Sequence, residues 1–206
     1  MGVWNLPKDL LAYHSTLFAG ALNGSFLEAD SKTIELQDED PSVFEFFIQW
    51  LYTGKAYFTD LCSSPEARDN ADGRYTSILV RAWILADKLG CLALRDFVMI
   101  CLLNLHCHTI NLRTSVIRIA YNNTTVNSKL REWIVDQFWS NASDGAYAYT
   151  NLDEEGSRLE ELKDLEDWGL DVTERLMRTS GGKRVHPNPY DRGQFYLDVL
   201  AFEELF

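Results

Sequence analysis

Three neighbouring residues, His106, Cys107 and His108, form the densest set of metal-ligating side chains in the chain, with Cys101 and Cys91 a few turns upstream. Imidazole and thiolate are the donors of a tetrahedral structural zinc, so that is the first chemistry to weigh. The spacing argues against it. Successive side chains on a helix diverge by about 100° each, so three neighbours do not converge on one ion. No Cys-x-x-Cys pair supplies a second arm. Cys101 lies in an apolar helical pattern, and residues 106–108 read as the end of that helix. A thiol nucleophile built from Cys107 and a distant His stays open, as does a dispersed Ser-His-Asp triad. The chain has no Gly-x-Ser-x-Gly elbow, no Gly-x-x-x-x-Gly-Lys-Ser/Thr loop and no Gly-x-Gly-x-x-Gly turn. The acidic stretch 153–167 reads as a solvated face rather than a catalytic pair. The expectation is a non-enzyme that uses no metal and no organic cofactor.

Composition narrows the partners. The 206 residues carry a formal charge of −12. A surface of that sign repels phosphate backbones, so nucleic acid is not the expected ligand. Lys183-Arg184 is the only basic cluster, and it is short. The apolar fraction is 46%, with 6 Trp, 9 Tyr and 11 Phe, which is ample for a buried core. No apolar run approaches the ~18–20 residues of a membrane span. The start, MGVWNLPKDLL, has neither the basic nor the apolar region of a signal peptide, and Leu6 stands where a myristoylation signal has Ser or Thr. Cys62, Cys91, Cys101 and Cys107 lack disulfide-framework spacing, which points to a reduced setting, the cytoplasm or the nucleus. The sequons at Asn23, Asn122, Asn123 and Asn141 are then chance.

The elements that would position any site are best marked at residues 38–54. Asp40 is an N-cap, Pro41 sits at the first helical position, and Gly54 can end the helix in a left-handed conformation. Phe44, Phe47, Ile48 and Leu51 form its apolar stripe. Helices are expected over about 7–22 (as two short ones, the second capped by Ser15), 41–53, 74–89, 91–105, 110–121 and 128–140. The wide stripe of 74–89 implies burial on more than one side. Gly90 breaks it from the next helix. Residues 32–36 (KTIEL) alternate like a strand, and residues 3–6 are their expected pairing partner. Residues 59–73 are rich in turn formers and read as a surface loop. The expected core includes Leu11, Phe18, Phe44, Phe47, Leu51, Leu79, Trp83, Leu85, Ala86, Phe97 and Cys101.

A strand, an acidic-Pro cap and an aromatic helix ending in Leu51-Tyr52-Thr53-Gly54 resemble the BTB/POZ domain in its fungal form. Further pieces of the likeness are Lys8, Leu10-Leu11, Ser15 and Phe18, then Phe26 and Glu28, then Ile34, Leu36, Asp38, Asp40 and Pro41, and finally Ala86 to Gly90. Pro7 replaces the family's His. Tyr121, Thr124, Ser128, Leu130 and Arg131 extend the resemblance to about residue 140. The family opens with a β-hairpin, whereas only Gly2 to Leu6 precede the first helix here, so the N-terminus reads as shortened.

The resemblance implies an α+β fold, mostly α with a small sheet, as a BTB/POZ-like helical cluster. The expected division is a BTB/POZ-like domain at 1–107 and a helical extension at 108–206. The implied function is protein–protein interaction, by homotypic assembly with another BTB chain or as an adaptor for a cullin-3-type ubiquitin ligase scaffold. The alternative is a non-catalytic regulatory or structural protein that has lost both dimerisation and cullin binding. Phe58 and Asp60 resemble the apolar-x-acidic motif of cullin-3 adaptors, while a loop with one buried Phe reads the same way. Phe46 and Trp50 widen the stripe of helix 41–53, which is either buried or covers a partner. A monomer or weak dimer, without nucleic acid or membrane, is expected.

Overall fold

The computed structural model describes residues 2–56, 65–105, 112–143, 162–179 and 195–198. These residues form nine α-helices: α1 (Lys8–His14), α2 (Thr16–Asn23), α3 (Leu27–Ser31), α4 (Pro41–Thr53), α5 (Pro65–Lys88), α6 (Leu92–Leu105), α7 (Thr114–Asn123), α8 (Lys129–Ser143) and α9 (Glu166–Thr179). The α5 helix packs against α4, α6 and α7, and α8 and α9 follow α7 around the same core.

Local chemistry sets the helix ends. The Asp40 carboxylate accepts the Ser42 N–H at 2.9 Å and the Ser42 hydroxyl at 2.8 Å. These bonds from the Ser42 hydroxyl and N–H hold the Asp40 carboxyl below its ordinary range. Gly54 closes α4 at φ +66°. Ser15 accepts the Phe18 N–H at 3.1 Å as the cap of α2 and donates to the Leu89 carbonyl at 2.6 Å. Leu17 N–H donates to the same carbonyl, so the α1–α2 corner is tied to the end of α5. Gly90 sits in that joint at φ +62°, and a Cβ there would collide with Thr16 Oγ1.

The expected small β-sheet is absent among the described residues: the fold there is helical, not α+β. The reason lies at both ends of the 32–36 segment. Lys32 adopts a left-handed conformation (φ 53°) and is consumed as the C-cap of α3. Thr33 N–H is taken by Ser31 Oγ, and a turn begins at Gln37. What remains extended is too short for a stable ladder, and residues 3–6 do not pair with it.

Other elements also depart from expectation. Residues 65–73, read as loop, are the first turns of α5, with Pro65 at a position where its missing N–H costs nothing. The short α3 was not among the expected helices, and α9 lies inside the expected helical extension, with Gly169 in its interior. Of the expected core, Leu11, Phe18, Phe44, Phe47, Leu51, Leu79, Trp83, Leu85 and Ala86 are buried, while Phe97 and Cys101 are half-buried at its margin.

Phe47 has 0% of its surface exposed and stands against Phe18 and Phe44 at ring-centroid distances of 6.2 and 5.4 Å. Replacing it by Ala should cost about 3–5 kcal/mol, read by urea denaturation. Asp40→Ala should cost about 1 kcal/mol as a lost cap. Because the Asp40 pKa is lowered in the folded chain, its contribution is present above the unfolded carboxyl pKa and is lost as pH falls through the folded value. The stability gap between wild type and Asp40→Ala should therefore narrow below about pH 4.

Candidate functional site

A cleft of about 1030 Å³ opens between the N-terminal segment, residues 2–8, and the segment from Lys32 to Glu39. Both segments alternate. Trp4 and Leu6 are half-buried while Val3 and Asn5 are exposed; Ile34 and Leu36 are half-buried while Thr33 and Glu35 are exposed. The inward side chains rest on the core, and Leu11, Phe18, Leu22 and Phe44 line the floor. Trp4 packs tilted against Phe44 with ring centroids 4.8 Å apart. Among the described residues, no backbone hydrogen bond engages residues 2–6, Ile34 or Glu35. Backbone with open N–H and C=O groups can bond to a partner. The rim carries Lys8, Lys32, Glu35, Asp38 and Glu39, and Glu39 is already paired with Lys88 at 2.7 Å. Among the described residues the cleft offers backbone groups and apolar contact.

The residues proposed from sequence fall elsewhere. Phe46 and Trp50 are 3% and 6% exposed, so they are core of this chain rather than a surface offered to a partner. Phe46 faces Phe97, and Trp50 is met edge-on by His14. The cause is the position of α4, enclosed by α1 and α5. Phe58 and Asp60 lie outside the described residues, as do Cys62, His106, Cys107 and His108. The two described cysteines are poor nucleophiles. Burial raises the Cys91 thiol and pushes Cys101 up to about 12. Among the described residues, no group of three His, Cys, Asp or Glu side chains could hold a metal ion.

Two polar clusters hold the later helices together. Arg131, only 4% exposed, donates to Thr124 Oγ1 at 3.0 Å, to the Tyr121 carbonyl at 2.9 Å, and to Asp167 at 2.8 Å. It also covers the Tyr121 ring at 4.5 Å. Ser128 Oγ accepts the Arg131 N–H at 3.2 Å, as an N-cap should. Tyr121 in turn donates to Asp171 of α9 at 2.7 Å. Burial, reinforced by the Asp171 carboxylate, drives its phenol well above the ordinary range, so it acts as a fixed donor. The motif Tyr121, Thr124, Ser128, Leu130, Arg131 is thus a clamp joining α7, α8 and α9. The second cluster is the strap 195–198. Tyr196 donates to the buried Asp136 at 2.5 Å, where Arg175 also pairs. Asp198 bridges Arg95 of α6 and Lys129 of α8. These carboxylates are enclosed by their partners and serve as fasteners.

Residues 6–72 match the family model of the BTB/POZ domain. The match runs from the cleft's first wall through α4 into the first turns of α5. It supports a BTB domain protein, and with it a protein–protein interaction module. Comparison with curated proteins gives no match, and comparison with solved structures gives none.

Tyr196→Phe removes one hydrogen bond to a buried carboxylate and should cost about 1.5–3 kcal/mol in urea denaturation. Burial raises the Asp198 pKa, but the bonds from Lys129 and Arg95 outweigh it, and the net shift is downward. The strap's contribution is therefore present above the unfolded carboxyl pKa and is lost as pH falls through the folded value. Hydrogen-exchange protection at residues 195–198, relative to the intrinsic rate at each pH, should fall below about pH 4, and Asp198→Asn should show the same loss of protection at neutral pH.

Proposed function

We propose that this chain is a non-catalytic protein–protein interaction module of the fungal BTB type, acting in the cytoplasm or nucleus as an adaptor. The observation that carries the reading is the BTB/POZ match at residues 6–72, on a segment with a cleft walled by backbone open to a partner. The fungal form is supported by the Tyr121 to Arg131 motif. A cullin-3-type ubiquitin ligase scaffold is the adaptor's proposed partner. Phe58 and Asp60, a few residues past Gly54 in the sequence, have the residue types that such an interface uses. A few buried contacts dominate interfaces of this kind, so single substitutions are informative.

A second reading, homotypic assembly, is favoured by the apolar surface of α1 to α3. Tyr13 is 83% and Leu27 84% exposed there, with Phe26 also exposed. The net charge of −12 opposes close approach of two copies, which makes the self-association weak.

Biolayer interferometry against the N-terminal region of a cullin-3 scaffold tests the adaptor. Binding should be saturable, and Phe58→Ala with Asp60→Ala should weaken it by about tenfold or more. No binding by the folded chain rejects the adaptor. Sedimentation velocity at low micromolar concentration should show a monomer or a monomer–dimer mixture. A dimer that persists at nanomolar concentration would replace the adaptor by homotypic assembly.

A further inference from the structure

Side chains of α6 and α8 read the strap 195–198 group by group. The Tyr196 hydroxyl donates to Asp136 Oδ2 of α8 at 2.5 Å. The Asp198 N–H donates to Asp96 Oδ1 of α6 at 2.7 Å. The Leu197 carbonyl accepts from Lys129 Nζ of α8 at 2.6 Å. The Asp198 carboxylate meets Arg95 of α6 at 2.5 Å and Lys129 at 2.7 Å. Tyr196, Leu197, Asp96 and Asp136 are all buried. A buried carboxylate is costly unless paired, and apolar side chains of similar size often hold a segment as firmly. What these polar groups add is selectivity. A site built to bond a hydroxyl rejects the analogue that lacks it, and a cationic pair rejects a neutral side chain. The reading groups are also held in place by the helical body itself: Asp136 pairs with Arg175 of α9, and Arg95 with Asp87 of α5. Such a site is preorganised for its ligand.

We propose that the α6–α8 site recognises a short segment of a partner protein with tyrosine two positions before aspartate, and that residues 195–198 occupy it in cis as an autoinhibitory strap. Both helices lie outside residues 6–72, so the site is separate from the BTB match and goes beyond it. The strap itself supplies the ligand chemistry: a phenol for Asp136, a backbone N–H for Asp96, and a carboxylate for Arg95 and Lys129. The occupant in trans is a separate partner rather than a second copy, because a charge of −12 on each chain opposes the approach of two copies. Tethering gives the strap an effective concentration on the order of millimolar. A partner therefore binds weakly while the strap is seated, since its apparent affinity is reduced by the fraction of chains in which the site is open. Weakening the strap raises that fraction and tightens binding in trans.

The test uses the full chain and a fluorescein-labelled, end-capped peptide, Ser-Gly-Phe-Tyr-Leu-Asp-Gly-Ser, followed by fluorescence anisotropy. Tyr196→Ala with Asp198→Ala strips the strap of its side-chain bonds, and Asp198→Asn removes its carboxylate alone. The peptide should bind the double variant at least about tenfold tighter than wild type, and Asp198→Asn about threefold tighter. Replacing the peptide's tyrosine by phenylalanine, or its aspartate by asparagine, should weaken binding to the double variant by about fivefold or more. On wild type, unlabelled peptide at about 10 mM, above the strap's effective concentration, should lower hydrogen-exchange protection at 195–198 while α6 and α8 keep theirs. That readout needs no substitution, so it stands even where the double variant fails to fold. Equal affinity of wild type and variants would overturn occupation in cis. Unchanged affinity of the phenylalanine or asparagine peptide would overturn the tyrosine–aspartate reading. No binding to a variant that keeps native circular dichroism would overturn the recognition site, and so would strap protection that the peptide leaves unchanged. A sedimenting complex of wild type with the double variant that neither chain forms alone would give the site to a second copy and overturn the separate partner.

Discussion

A helical segment that is apolar on nearly all sides must be surrounded, and the C-terminal half of α5 is such a segment. Leu79, Val80, Ala82, Trp83, Ile84, Leu85 and Ala86, with Leu89 just past its end, are all buried, while Arg81, Asp87 and Lys88 face solvent. Fully burying a Leu or Ile contributes about 1.5–3 kcal/mol relative to leaving it exposed. No two-layer arrangement could enclose so wide a surface. The α4 helix covers one side, α6 another and α7 a third. The joint at Leu89 and Gly90 adds direction. It turns the chain back into α6 while its carbonyl anchors Ser15 and Leu17. The first two helices therefore take their place from the end of the fifth.

Enclosure of α5 has a consequence for the cleft. The α4 helix commits Phe46, Phe47, Trp50 and Leu51 to the interior, so those four side chains are not offered to a partner. At the rim of the same core, Leu11, Phe18 and Phe44 line a cleft walled by residues 2–8 and 32–39 rather than by another helix. The inward face there is secured by Trp4, Leu6, Ile34 and Leu36, while the backbone between them stays open.

At the other end of the molecule polar groups do what apolar area does around α5. Arg131 and Asp136 are buried and are held by partners from three separate segments. A buried charge is costly unless it is paired and hydrogen-bonded, so each fixes the relative position of the elements that supply its partners. The acidic α9 is kept on α7 and α8 in this way, by Asp167 and Asp171 on Arg131 and Tyr121, with Trp168 packed edge-on against Tyr121 at 5.4 Å.

Much of this was legible in the residues themselves. Asp40, Pro41 and Gly54 delimit α4 because a cap, a preset φ and a left-handed stop are local effects. Ser15, Gly90 and Ser128 mark ends for the same reason. The burial of α5 was readable from its wide apolar face. Tertiary structure decided the rest. Alternation in KTIEL gave a strand pattern, but a strand needs a partner, and pairing is not a local property. Lys32 instead closed α3, and the expected sheet became a cleft. The helical start of α5 at Pro65 depended on extension of an already packed helix into a polar stretch. The role of Phe46 and Trp50 depended on what lies across from them, and the neighbours α1 and α5 made them core. The pairing of Arg131 with α9 joins residues 36 positions apart, a distance over which sequence pattern carries no register.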